Sequence, residues 1–149
     1  MRAVVQRVSS ASVTVENRAQ SMIGTGLLIY LGIAPDDRAA DVSYIADKIR
    51  HLRIFPDRDG KLNLDILEIN GQVLVVSAFT VQADARKGRR PSFDAAAPRA
   101  HAVTLYEQVC DAIAESGVEV QRGYYGEHMV VQCDNDGPIC ILLDSRRVF

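Results

Sequence analysis

The chain has 149 residues, 48% hydrophobic and 24% charged, and a formal net charge of −2. That length suits one domain, residues 1–149, with a substantial core. The near-neutral charge excludes a globally basic nucleic-acid binder, so any contact with a phosphate backbone must come from a local patch. No apolar run is long enough to span a bilayer, and Met1-Arg2-Ala3 leads into alternating residues rather than a signal core. Cys110, Cys133 and Cys140 lack metal-site spacing and lie in apolar segments, so they are expected to be reduced, buried thiols in a cytoplasmic protein.

Ala3 to Val15 alternates well enough for two strands, with a bend allowed at Ser9-Ser10. Asn17-Arg18 reads as a turn, Gln20 to Ile23 as a short strand, and Leu27 to Ile33 as a central strand buried on both faces. Pro35-Asp36-Asp37 opens a helix with an aspartate to cap it, and Val42, Ile45, Ala46, Ile49 and Leu52 follow helical spacing. Arg53-Ile54-Phe55 is a short strand, Asp57 to Gly60 a turn, and Asn70-Gly71 a hairpin signal. Gln72 to Thr80 is an apolar strand ending in Ser77-Ala78-Phe79-Thr80. A basic loop from Arg86 to Arg90 follows, and Ser92 can cap a second helix that runs to Ser116-Gly117. Strands are expected at Val118 to Arg122, Met129 to Cys133 and Ile139 to Leu143. The elements add up to one α+β domain.

Between the last two strands lies Asp134-Asn135-Asp136-Gly137-Pro138. Gly137 can adopt backbone angles closed to other residues, and Pro138 fixes its own φ. A hairpin corner and a functional loop are both open on these residues alone.

A search for side-chain chemistry finds little. His51 and His101 fall on the helices as surface residues, and His128 precedes a strand. No nucleophile–histidine–acid order, phosphate loop or zinc signature is present. Cys140 sits in an apolar strand with no adjacent base, which suits a structural thiol better than a nucleophile. Two features remain. Ser77 to Thr80 ends a buried strand, where free backbone N–H groups can hold a developing oxyanion. The four cations among Arg86-Lys87-Gly88-Arg89-Arg90 suit phosphate contacts, although a solvated loop is the default.

Taken together, the segments Met1 to Val8, Leu74 to Thr80, Arg86 to Phe93, Asp47-Lys48-Ile49 with Leu52 to Phe55, and Asn135 to Pro138 resemble the D-aminoacyl-tRNA deacylases. The likeness runs in order along essentially the whole chain. It implies a single compact α+β domain with mixed, largely antiparallel sheets and two long helices, working as a homodimer without metal or other cofactor. The implied reaction is hydrolysis of the ester between tRNA and a D-amino acid, or glycine mischarged on tRNA(Ala), with help from the substrate's 2′-hydroxyl and with L-aminoacyl esters rejected. By that resemblance, Ser77, Ala78, Phe79 and Thr80 are catalytic through their backbone amides. Gly137 and Pro138 form a Gly-cis-Pro gate that enters the pocket of the other subunit, and Arg7 holds the gate in orientation. Met129, Ile139, Cys140, Lys87, Arg89 and Arg90 are implied to bind substrate. Two positions depart from the family pattern: Ala78 stands where glutamine is usual, and Ile139-Cys140 stands for Val-Thr. The alternative reading is therefore a binding module for the aminoacyl end of tRNA with reduced turnover.

Overall fold

The computed structural model describes residues 1–16 and 21–148, so the turn expected at Asn17-Arg18 and the start of the strand at Gln20 lie outside the described residues. The architecture is organised by its first strand, β1 (Arg2–Thr14). One edge of β1 pairs antiparallel with β3 (Gly26–Gly32) over residues 2–8 and with β2 (Ser21–Ile23) over residues 11–13. The other edge pairs with β8 (Val130–Asp144) from Arg2 to Thr14. β6 (Gln72–Ser77) then adds parallel to β3, and β7 (Glu119–Arg122) parallel to β6, giving the order β2-β1-β3-β6-β7 with β8 on β1. Phe55–Pro56 (β4) and Leu62–Leu64 (β5) form a separate two-stranded sheet. The sheets are therefore mixed, and the parallel β3–β6–β7 half contrasts with the antiparallel half built on β1.

Two helices, α1 (Ala39–His51) and α2 (Arg99–Ala114), pack against each other over one face of the sheet. Their buried residues Val42, Ile45, Ile49, Leu105, Tyr106, Val109 and Ile113 meet Val5, Leu27, Ile29, Leu31, Val73 and Val75 in the main core. The opposite face carries a smaller cluster of Val8, Ala11, Val13, Ile23, Leu28, Leu74 and Val76. Alternate residues of β3 and β6 thus enter different clusters, which is why both strands read as continuous apolar runs.

Local details depart from the sequence expectations for identifiable reasons. β1 is one strand rather than two, because β8 spans the Ser9-Ser10 bend with register irregularities between Gln6 and Ser10. Asp36 and Asp37 do not cap α1. Asp41 accepts from the N–H of Arg38 at 2.8 Å, while Asp37 is buried, accepting the Met1 amine at 2.5 Å and the Ala34 N–H at 2.7 Å. Asn70, with φ at 51°, closes a turn, but no hairpin follows, since β5 and β6 belong to different sheets. Ser92 bonds Asp94 instead of capping α2, whose first residue follows Pro98. Only Cys110 is buried, and Cys133 and Cys140 are exposed because β8 lies on the edge of the sheet with its outer face uncovered.

The largest departure concerns the Gly-Pro segment. No hairpin corner forms there: Val130 to Cys133 and Cys140 to Leu143 belong to a single strand along β1. Val8 pairs with Asn135 and Gln6 with Cys140, so the single β1 residue between them, Arg7, faces four of β8. The surplus, Asp136 to Ile139, leaves the ladder as an excursion from the sheet edge.

Candidate active site

A cleft of about 450 Å³ opens on the sheet face away from the helices, between the end of β6 and the segment before β8. Ser77, Ala78, Phe79, Thr80 and Met129 line it, together with Tyr30, Tyr125, Gly126, Glu127 and His128. β6 stops at Ser77 because Ala78 leads into a 3₁₀ turn over Phe79–Gln82. That turn aligns Phe79 and Thr80 as its first residues, whose N–H groups have no partner inside it. Among the described residues, no carbonyl or side chain accepts from the N–H of Phe79 or Thr80. The N–H of Ala78 is occupied, donating to Leu31 O at 2.9 Å. Of the four strand-end amides, it is therefore Phe79 and Thr80 that are free to meet a ligand oxygen.

The opposite wall is held from α2. Tyr106 donates from its buried hydroxyl to Val75 O at 2.8 Å and packs edge-on against Tyr125, with ring centroids 5.6 Å apart. Arg99 lies 5.9 Å from the centroid of the Tyr125 ring. Gly126, at φ +76°, passes over that guanidinium, where a Cβ would meet Nη1 at 2.7 Å. Met129 is fixed by its sulfur, which accepts the N–H of Tyr124 at 3.3 Å. Burial raises the pKa values of the Tyr30 and Tyr125 hydroxyls, so both stay neutral near pH 7 and can donate.

Gly137 and Pro138 are not in this cleft, and neither are Arg7, Ile139 or Cys140. They form a second constellation at the excursion. Its neck is closed by Asn135, whose side-chain oxygen accepts the N–H of Ile139 at 2.8 Å and whose amide donates to Ile139 O at 3.1 Å. Arg7, 7% exposed, anchors the other limb. Its Nε lies 3.0 Å from both the main-chain oxygen and Oδ2 of Asp136, and Nη1 donates to Ile54 O at 2.7 Å. At the tip the Gly137–Pro138 peptide is cis, and Gly137 has φ +142°. A Cβ on Gly137 would stand 2.8 Å from Ile139 N. Cys140 is outside the ladder interruption, opposite Gln6.

The basic residues sit on a third feature. Asp84 and Ser92 form an antiparallel bridge through two backbone bonds of 2.8 and 2.9 Å, which closes residues 84–92 into an arm. Arg86 is tied to Asp84 by bonds of 2.9 and 2.6 Å, and these side-chain hydrogen bonds, joined by one from the Arg86 N–H, hold the carboxyl of Asp84 well below the usual carboxylate range. Lys87, Arg89 and Arg90 are exposed and have no carboxylate partner among the described residues.

Of the residues singled out from the sequence, Ser77 to Thr80 and Met129 share the cleft, while Gly137, Pro138 and the basic loop lie outside it. Sequence reasoning missed Tyr30, Tyr125 and Glu127, and it gave His128 no place beside Ser77 to Thr80. The turn chemistry of Asn135 was a usable signal, because asparagine side chains readily bond nearby backbone. Tyr30 had no signal of its own, since its contact with the cleft depends on how β3 pairs with β6.

Fold and site together define a class: an α+β domain whose cleft offers backbone donors and neutral hydroxyls. The family model described as D-Tyr-tRNA(Tyr) deacylase matches residues 4–144. The D-aminoacyl-tRNA deacylase of Anaeromyxobacter dehalogenans (strain 2CP-C) is 53% identical over 149 residues, covering all of both chains. Among solved structures, the c-Myc DNA Unwinding Element Binding Protein aligns with TM-score 0.90 and 36% identity, covering 97% of this chain and 98% of that one. A probable eukaryotic D-amino acid tRNA deacylase shares the fold, with TM-score 0.80 and 17% identity over 95% of this chain and 97% of that one. This chain belongs to the D-Tyr-tRNA(Tyr) deacylase family.

Proposed function

We propose that the protein is a D-aminoacyl-tRNA deacylase that hydrolyses the ester joining a D-amino acid or glycine to the terminal adenosine of tRNA, and leaves L-aminoacyl esters intact. The observation that carries the chemistry is the pair of unpartnered N–H groups at Phe79 and Thr80 in the cleft. Two such donors suit the oxygen of a tetrahedral intermediate, and losing one comparable donor typically costs about 10²–10³ in rate. An aminoacyl ester is already activated. The ribose 2′-hydroxyl next to it assists the attacking water, so position and an oxyanion site are enough.

Selection against the L form falls to the excursion. Gly137 and Pro138 stand outside the cleft of their own chain, so they act by entering the cleft of a second copy in a homodimer. Their backbone then occupies the space that an L side chain needs. A discrimination of ~10⁴ requires about 5.5 kcal/mol, and a rigid backbone clash supplies this more readily than one added contact. Support for the dimer comes from β8, whose outer edge is unpaired among the described residues and which exposes Val130 and Leu142. Arg7 and Asn135 keep the excursion in one shape, while Lys87, Arg89 and Arg90 take tRNA phosphates. Such a protein works in the cytoplasm, where aminoacyl-tRNA is found; among the described residues no helix is long and apolar enough to cross a membrane.

The two departures from the family pattern do not argue for lost turnover. Ala78 has its amide bonded to Leu31 whatever its side chain, and Cys140 stands in the ladder opposite Gln6, beyond the Asp136 to Ile139 excursion that enters the second copy. The test is release of D-tyrosine or glycine from charged tRNA with the L-tyrosyl ester measured in parallel. Release of the D product alone is expected. No release at micromolar enzyme would overturn the reading and restore the binding-module alternative, which Ala78→Gln with Cys140→Thr would then convert to an active enzyme.

A further inference from the structure

Two large aromatic side chains are exposed where the cleft meets the basic arm. Phe79, a lining residue of the cleft, is 56% exposed, and Phe93, the residue after the Asp84–Ser92 bridge, is 39% exposed. Their ring centroids are 5.2 Å apart at 71°, an edge-to-face pair in which each ring restrains the other while both stay exposed to solvent. Exposed aromatic rings paired beside unneutralised charge suit a ligand that carries both flat rings and negative charge.

We propose that Phe79 and Phe93 form a stacking platform for the single-stranded 3′ end of tRNA, carrying it from the cleft to the basic arm. The proposal rests on the deacylase reading for the identity of the strand. The chain order of features matches the partner. The cleft takes the terminal aminoacyl-adenosine, the two rings receive the unpaired bases next to it, and Lys87, Arg89 and Arg90 meet the phosphates beyond. Charge complementarity favours a nucleic acid over an apolar peptide, since the arm's acids are already engaged: Asp84 by Arg86, and Asp94 by the Ser92 hydroxyl. Aromatic stacking accepts any base, which suits an enzyme that serves many tRNAs through one common end.

The experiment is equilibrium binding of a deacylated tRNA transcript ending in its 3′ CCA, and of the same transcript lacking those three nucleotides. Wild type is expected to bind the intact RNA more tightly. Phe93→Ala should weaken that binding about tenfold, within the range for one stacked base, without changing affinity for the trimmed RNA. Phe93→Tyr should bind like wild type, and Phe93→Leu, which keeps the bulk but not the ring, should behave like Phe93→Ala. The salt dependence should be the same in all four proteins, since stacking releases no counterions. Equal loss on both RNAs, no loss on either, or full binding by Phe93→Leu overturns the platform. A dimer that dissociates on Phe93→Ala would also overturn it, assigning the rings to a subunit contact. If wild type shows this binding pattern but releases no D-amino acid, the deacylase reading fails and the platform stands.

Discussion

Arg7 Nε donates to the main-chain oxygen of Asp136 at 3.0 Å across 129 residues of sequence, joining the first strand to the one segment of the last strand that leaves the ladder. The same guanidinium reaches Ile54 O, so a single buried side chain ties three distant parts of the chain together.

Arg7→Lys should loosen the excursion, because one ammonium cannot serve Asp136 and Ile54 together in the geometry of a guanidinium fork. Loss of a charged hydrogen bond at this burial costs roughly 1.5–3 kcal/mol, measurable by urea unfolding. The deacylation assay should show a fall in D-ester activity and a rise in L-ester hydrolysis relative to it. Unaltered D/L selectivity would detach Arg7 from the gate.

Gly137→Ala places a Cβ 2.8 Å from Ile139 N at a φ that L residues rarely adopt. The strain is of order 1–3 kcal/mol. Because the excursion stands outside the ladder, the loss of D-ester turnover should be at least tenfold, while the thermal midpoint moves by only a few degrees. An enzyme with wild-type kinetics after this change would show that the tip is not the filter.

Replacing Lys87, Arg89 and Arg90 together by Ala should weaken tRNA binding and flatten the plot of log affinity against log salt. Three lost contacts with a single strand change the slope by roughly 2. An unchanged slope would return the arm to solvated surface.

Cys140→Ala and His128→Asn test whether a side chain carries the reaction. Cys140 lies outside the cleft, and His128, although in it, has no assigned proton to move. Both variants should retain rates within about threefold of wild type with the same pH profile, a change below 1 kcal/mol. Loss of activity in Cys140→Ala would revive a thiol mechanism, and a lost pH inflection in His128→Asn would make the imidazole a base.

Acid stability should track two depressed carboxylates. Burial alone would raise the pKa values of Asp144 and Asp41, but their partners outweigh it and both fall. Asp144 accepts Arg2 at 2.8 Å and the Arg146 N–H at 2.7 Å; Asp41 accepts the Ser145 hydroxyl at 2.6 Å and the Arg38 N–H at 2.8 Å. A carboxyl with a lower pKa when folded than unfolded contributes stability above its unfolded value, and loses it as pH drops through the folded one. The contribution is therefore complete at pH 7 and declines below the ordinary carboxylate value of about 3.9. Asp144→Asn should destabilise the protein at pH 7, and the difference from wild type should shrink as the pH falls below about 3.9, as read by urea midpoints.

Much of this architecture is legible in the amino-acid sequence. The continuous apolar runs of β3 and β6 announced strands covered on both faces, and the spacing from Val42 to Ile49 announced the buried stripe of α1. Both signals are local, because periodicity records which side of an element avoids water. Caps and ends were less legible. Asp37 reads as a cap but is drawn to the Met1 amine, and the strand expected through Thr80 ends at Ser77, with a 3₁₀ turn over Phe79–Gln82.

Residue identity alone determined that this chain makes one α+β domain, that it carries a Gly-Pro segment and a basic arm, and that it has no ordinary catalytic set. Only the tertiary structure decided what the Gly-Pro segment is. Between two apolar runs it reads as a corner, yet pairing with one long partner strand keeps those runs collinear and forces the surplus residues out of the sheet. Register is a property of two strands together, and neither strand's sequence records it. The same holds for the cleft, where Tyr30, Tyr125 and the free amides of Phe79 and Thr80 meet because β3, β6 and α2 are packed against each other.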